Sequence, residues 1–109
     1  MKEVTKETFE DDVIRSDTPV VVDFWGPQCA PCLALMPMVE QLEKDNGGRV
    51  KIVKVEAPKN RRLCLQLQVL SLPTFLFYRD GQEVERLTGT VTPEQIKQGT
   101  ARLAGPPEA

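Results

Sequence analysis

The chain reads as a single α/β domain, one sheet with helices on both faces, and three observations predict it. Strand-sized apolar runs alternate with segments of helical periodicity, in the order βαβαβαββα, along the 109 residues. One run, Val20-Val21-Val22-Asp23-Phe24-Trp25, is almost unbroken in apolar residues, as in a central strand covered on both sides. The composition, 40% hydrophobic and 28% charged, is that of a globular chain, and its length allows a core without cross-links.

The elements follow in order. Residues 2–5 form a short first strand, and Thr5 caps a helix to about Ser16 with Phe9, Val13 and Ile14 on one face. Asp17 and Pro19 end it before the central strand 20–25. Gly26-Pro27 marks a turn. A long helix is predicted from about Cys29 to Asn46, because Cys32, Leu35, Met36, Val39 and Leu42 recur at helical spacing. Pro37 inside that pattern removes one backbone hydrogen bond and should kink the helix, and Asn46-Gly47-Gly48 ends it. Val50–Val55 is a strand, 58–67 a short helix opening at Pro58, and Ser71–Pro73 a loop. Thr74–Tyr78 is a strand, Asp80-Gly81 a hairpin turn, and Glu83–Thr88 alternates as an edge strand does. Thr92-Pro93-Glu94-Gln95 opens the last helix, with Thr92 as cap and Gln95 closing a capping box. The tail Gly105-Pro106-Pro107 should fray.

Charge and cysteine count exclude several classes. A net charge of −2 gives no reason to expect nucleic acid or an anionic membrane as partner. Met1–Arg15 is mostly polar and holds no apolar stretch of signal-peptide length, and no run could span a bilayer. The cytoplasm is the expected location, and a monomer the expected state. Three cysteines make an odd number, with two close together, unlike a secreted disulfide framework. In a reducing compartment such a close pair reads as catalytic or metal-binding.

Cys29-Ala30-Pro31-Cys32 sets two thiols three residues apart at a predicted helix start. Residues so spaced share a helix face, so a disulfide between them can open and close without large backbone movement. The thiolate is the nucleophile, and a helix N-terminus stabilises it with free N–H groups and its dipole, below the free-thiol value of about 8.5. Cys29 at the helix end is the better placed to attack. Cys32, one turn in and facing the core, is placed to resolve the mixed disulfide. A zinc site needs four ligands, and a chain with no histidine and one further cysteine is poorly supplied for it, so no metal or other cofactor is expected.

The stretch Val22-Asp23-Phe24-Trp25-Gly26-Pro27-Gln28-Cys29-Ala30-Pro31-Cys32 closely resembles the active-site region of the thioredoxin family. The resemblance runs from about Val4 to Leu103 and includes Pro37, the Leu72-Pro73-Thr74 loop, Gly81 and Gly89. It implies the thioredoxin fold, a central mixed sheet with four flanking helices. It also implies reduction of protein disulfides, with reducing equivalents from a reductase, and a cis bond before Pro73. Trp25, Ala30, Pro31, Leu72, Pro73 and Gly89 would form an apolar substrate surface. The chain departs from the family pattern at three positions. Gln28 replaces the usual tryptophan, Ala30 the usual glycine, and Leu33 an often basic residue. These leave the redox pair intact and bear on substrate range, reductase and potential. Pro31 resembles the reducing rather than the oxidising or isomerising members. The rival reading is a binding or adaptor module of the same fold without redox turnover.

Four further features have two readings each. Asp23 interrupts a buried strand, where isolation should raise its pKa. It is either the proton acceptor for Cys32, as in the family, or a solvated strand-end carboxylate. Lys54, in Ile52-Val53-Lys54-Val55, is either a partial counter-charge to Asp23 or an outward strand lysine. Cys64, between Leu63 and Leu65, is either a small buried hydrophobe or a regulatory thiol. Lys59-Asn60-Arg61-Arg62 is most simply a solvated helix face.

Overall fold

In the computed structural model, which describes residues 1–105, five strands make one mixed sheet in the order β1-β3-β2-β4-β5. The strands are β1 (Lys2–Glu3), β2 (Val20–Trp25), β3 (Lys51–Glu56), β4 (Thr74–Arg79) and β5 (Gln82–Thr88). The α-helices are α1 (Ala30–Asp45), α2 (Arg61–Gln66) and α3 (Pro93–Ala104). β3 runs parallel to both β1 and β2, while β4 is antiparallel to β2, and β5 to β4. The apolar run 20–25 thus sits at the sheet centre, as its composition predicts, and 82–88 lies at an edge.

The strand alternation of β2 divides the core. Val20, Val22 and Phe24 pack with Phe9 and Val13 and with Leu63 and Cys64 of α2. Val21 faces the other way, against Leu35 and Val39 of α1 and Ile96 and Leu103 of α3. Helical segments therefore cover both faces, as the sequence order implies. Gly99 on α3 allows that helix to lie close: a Cβ there would come within 2.8 Å of the buried Phe77 ring. Gly99→Ala should therefore lower stability by about 1–2 kcal/mol. The overpacking strain outweighs the gain in helix propensity, and the urea midpoint measures it.

Two helices differ from expectation. The first is shorter and wound as a π-helix over Glu10–Ile14, with the Arg15 N–H donating to the Glu10 carbonyl at 2.9 Å. Thr5 is not the hydroxyl cap. Its own N–H donates to Thr8 Oγ1 at 3.0 Å, so the tie runs backwards from Thr8. The helix expected over 58–67 is two pieces, a 3₁₀ turn at Ala57–Lys59 and α2. Asn60 breaks it because its side chain is engaged elsewhere: Nδ2 donates to the Glu56 carbonyl and Oδ1 accepts from the Lys6 N–H, each at 2.9 Å. The other elements match closely. Helix α1 runs on through Pro37 and ends at Asn46. The Thr92–Gln95 capping box is complete. Asp80 and Gly81 both take positive φ, 51° and 78°, as a tight hairpin turn requires. Of the tail expected to fray, Pro106 and Pro107 lie outside the described residues.

Candidate active site

The redox pair is built where β2 runs into α1. After Trp25 the chain turns through Gly26-Pro27-Gln28, and the Cys29 N–H closes the turn on the Gly26 carbonyl at 3.0 Å. Cys29 has extended backbone and is the N-cap of α1, where its Sγ accepts the Cys32 N–H at 3.2 Å. A sulfur here does what serine or aspartate does at other helix starts. Pro31 has no N–H to leave unsatisfied in this first turn. Cys29 and Cys32 are joined as a disulfide, with Cα atoms 5.3 Å apart. Cys29 is half-buried, whereas Cys32 is 2% exposed. When the bond opens, negative charge on Cys29 faces a free amide and the positive end of a sixteen-residue helix.

Asp23 lies two residues upstream of Trp25. Because Val21 faces α1, strand alternation turns Asp23 and Trp25 to the same side, the side on which Cys32 is buried. Asp23 is 1% exposed, and its Oδ2 has no hydrogen-bond partner. Burial pushes its pKa up from 3.8 to about 7, with the Lys54 charge pulling the other way. Asp23 is therefore not a solvated strand-end carboxylate. Lys54 is its direct cross-strand neighbour in the β2–β3 register, on the α1 side, so the outward reading of that lysine falls too. Its Nζ lies 5.4 Å from the Trp25 ring centroid, and no ion pair closes between it and Asp23. Lys54→Gln should raise the Asp23 pKa above about 7, since only the opposing charge is lost. An unmoved carboxyl titration by carbon NMR would sever the pair.

The remaining expected surface gathers at the same sheet end. Thr74 pairs with Phe24 in the β2–β4 register, which sets Pro73 beside Trp25. The Leu72–Pro73 bond is cis, as the resemblance implies. Ala30 and Pro31 are exposed, Leu72 and Trp25 are half-buried, and Pro73 is buried. Gly89, exposed with φ of 82°, follows Thr88 at the end of β5. Three hydroxyls tie these segments together: Thr88 Oγ1 lies 2.8 Å from Thr74 Oγ1 and 3.0 Å from Ser71 Oγ. In the sequence Ser71, Thr74 and Thr88 read only as loop and strand-end residues, because isolated hydroxyls carry no signal of their mutual contact. Gly26 was legible only as a turn. In the structure a Cβ on it would come within 3.3 Å of Leu72 and 3.5 Å of Pro58, so a glycine lets the loops close on each other.

Cys64 lies on the core-facing side of α2, and burial raises its pKa, which fits the reading as a small hydrophobe. No helix among the described residues is long and apolar enough to cross a membrane.

A mixed sheet that delivers a closed Cys-x-x-Cys disulfide to a helix N-terminus defines a thiol–disulfide oxidoreductase acting on protein disulfides. The chain belongs to the thioredoxin family, whose model, described as Thioredoxin, matches residues 1–102. It is 44% identical over 88 residues to a thioredoxin of Acetoanaerobium sticklandii, spanning 81% of this chain and 84% of that one. It is 36% identical over 96 residues to thioredoxin 1 of a Nostoc species, spanning 88% and 90%. Thioredoxin 1 of Synechococcus elongatus is 39% identical over 88 residues, spanning 81% and 82%.

Proposed function

We propose that this chain is a general reductant of protein disulfides in the cytoplasm, acting as a monomer and recharged by a thioredoxin reductase. One observation carries the division of labour: Cys29 Sγ is the half-buried cap of α1, while Cys32 is enclosed beneath it. Cys29 as thiolate attacks one sulfur of a substrate disulfide. That bond breaks, a mixed disulfide forms, and the departing substrate sulfur takes up a proton. Cys32 then gives its proton to Asp23 and attacks Cys29 Sγ, expelling the second substrate sulfur as a thiolate that takes its proton from solvent. Two electrons pass to the substrate, and the chain is left as the Cys29–Cys32 disulfide. The reductase returns two electrons to reopen it. Lys54 holds down the rise in the Asp23 pKa, keeping the carboxyl close to neutrality as an acceptor. Trp25, Ala30, Pro31, Leu72, Pro73 and Gly89 receive the substrate chain.

The roles separate experimentally. With dithiothreitol as electron source the protein should accelerate insulin reduction, read as precipitation of the freed chain. Cys32→Ser should still make the first attack and then stall, leaving a mixed disulfide visible by intact mass and released by dithiothreitol. An adaptor module would neither speed insulin reduction nor be trapped, and a Cys32→Ser variant that accumulates no adduct would reverse the assignment.

A further inference from the structure

Arg86 on β5 engages all three nitrogens of its guanidinium. Nε and Nη2 donate to the two carboxylate oxygens of Glu83, at 2.7 and 2.8 Å. Nη2 also donates to the Leu67 carbonyl at 2.8 Å, and Nη1 to the Gln68 carbonyl at 2.9 Å. A bulge makes this grouping possible. Residues three apart on a regular strand face opposite ways, but β5 carries one extra residue: Glu83 pairs with Tyr78 and Glu85 with Phe77, leaving Val84 unpaired. Glu83 is thereby turned to the face of Tyr78, where Arg86 also stands, opposite Leu76. The carboxylate orients the guanidinium, whose remaining N–H groups reach the two carbonyls.

Those carbonyls belong to the end of α2. Gln68 has a φ of 58°, a conformation that strains any residue with a Cβ. Its N–H donates to the Leu65 carbonyl at 3.1 Å, and the Val69 N–H to the Cys64 carbonyl at 2.8 Å. This leaves the Leu67 and Gln68 carbonyls without a partner on their own helix, and Arg86 takes both. From there the chain runs to Pro73 with little to guide it. Only Val69 is buried on the way, and among the described residues the N–H groups of Leu70, Ser71 and Leu72 donate to no protein acceptor. The path of the loop is therefore set at its ends. Thr88, two residues along β5 and on the same face as Arg86, holds the far end through Ser71 and Thr74. Arg86 holds the near end. We propose that Arg86 is a positioning residue for disulfide exchange, fixing through the Leu67 and Gln68 carbonyls where the Leu72–Pro73 loop stands relative to Cys29. The proposal rests on the reading above in which this loop receives the substrate chain. Arg86 acts through the loop and not on substrate or sulfur.

The test compares pre-reduced Arg86→Ala, Arg86→Lys and Glu83→Gln with the wild type in single turnover against excess insulin. Arg86→Ala should raise the half-saturating insulin concentration about tenfold, the weight of one hydrogen bond to a charged group, with the limiting rate unchanged. Lysine, a point charge that cannot span two carbonyls as a planar fork does, should recover part of the loss. Glu83→Gln, which frees the guanidinium from its carboxylate, should show a smaller rise of the same kind. Gly99→Ala, destabilised on the opposite face of the sheet, should keep the wild-type half-saturating concentration, which separates positioning from loss of stability. By NMR, hydrogen exchange of the Gln68 and Val69 amides should quicken in Arg86→Ala while the amides of β2 keep their wild-type rates. Faster exchange with an unchanged half-saturating concentration would reduce Arg86 to a helix cap and overturn the proposal. A rise no larger than that of Gly99→Ala, or a fall in the limiting rate alone, would overturn it too. Should Arg86→Ala not fold, Arg86→Lys and Glu83→Gln carry the test, and wild-type behaviour in both would be fatal to it. Failure of the wild type to reduce insulin would sink the reductase reading itself, whatever the exchange rates show.

Discussion

Cys29→Ser is expected to abolish disulfide reduction, lowering the rate of insulin reduction by at least about a thousandfold, to the level of dithiothreitol alone. The cause is chemical rather than structural. A serine hydroxyl can take over the N-cap of α1 and accept the Cys32 N–H that Cys29 Sγ accepts now, so the helix start survives. It does not ionise near neutral pH and is a poor partner for a substrate sulfur. The variant also loses the Cys29–Cys32 cross-link. That closes so short a loop that the chain-entropy cost is about 2 kcal/mol in thermal or urea unfolding of the oxidised forms. A variant that kept more than a few percent of the wild-type rate would show that another group makes the attack.

Asp23→Asn should stabilise the oxidised protein at alkaline pH and slow its chemistry. The Asp23 pKa is about 7 in the folded chain against 3.8 as its ordinary value, so the folded state holds a proton that the unfolded state has released. Stability therefore falls as pH rises from about 4 to about 7, and the full penalty stands above about 7. A rise of roughly three pKa units corresponds to about 4 kcal/mol at pH 8, which asparagine, uncharged throughout, escapes. The gain should shrink toward zero near pH 4, where both side chains are neutral. Urea unfolding of the two proteins at a series of pH values measures it. A difference that stays constant between pH 4 and 8 would mean that Asp23 does not ionise in place. For the chemistry, losing a proton acceptor costs on the order of 10²-fold in the resolving step, and the inflection near pH 7 in the rate should vanish. An unaltered pH–rate profile would remove Asp23 from the proton path while leaving the stability argument intact.

Much of this site could be read before any coordinates. The redox pair is legible because its geometry is local: a three-residue spacing at a helix start fixes cap, turn and reach, and α1 begins within one residue of the predicted position. The capping box at Thr92 and the turn at Asp80-Gly81 are legible for the same reason, since each is specified by side chains within a few residues. Where the reading failed, a distant segment had intervened. Asn60 breaks a helix that its neighbours favour, because its amide is held by Lys6, fifty-four residues away. The π winding of Glu10–Ile14 is likewise absent from the apolar spacing that located the helix.

By itself the sequence determined the order of elements, the central strand and the sulfur pair, because periodicity, capping and turn chemistry act over a few residues. Only the tertiary structure decided which way Asp23 and Lys54 point, that Gly26 lets Leu72 and Pro58 close beside Cys29, and that Ser71, Thr74 and Thr88 meet. These depend on strand register and on which faces the helices cover. Such relations are set by burial of the whole core and carry no short-range mark in the chain.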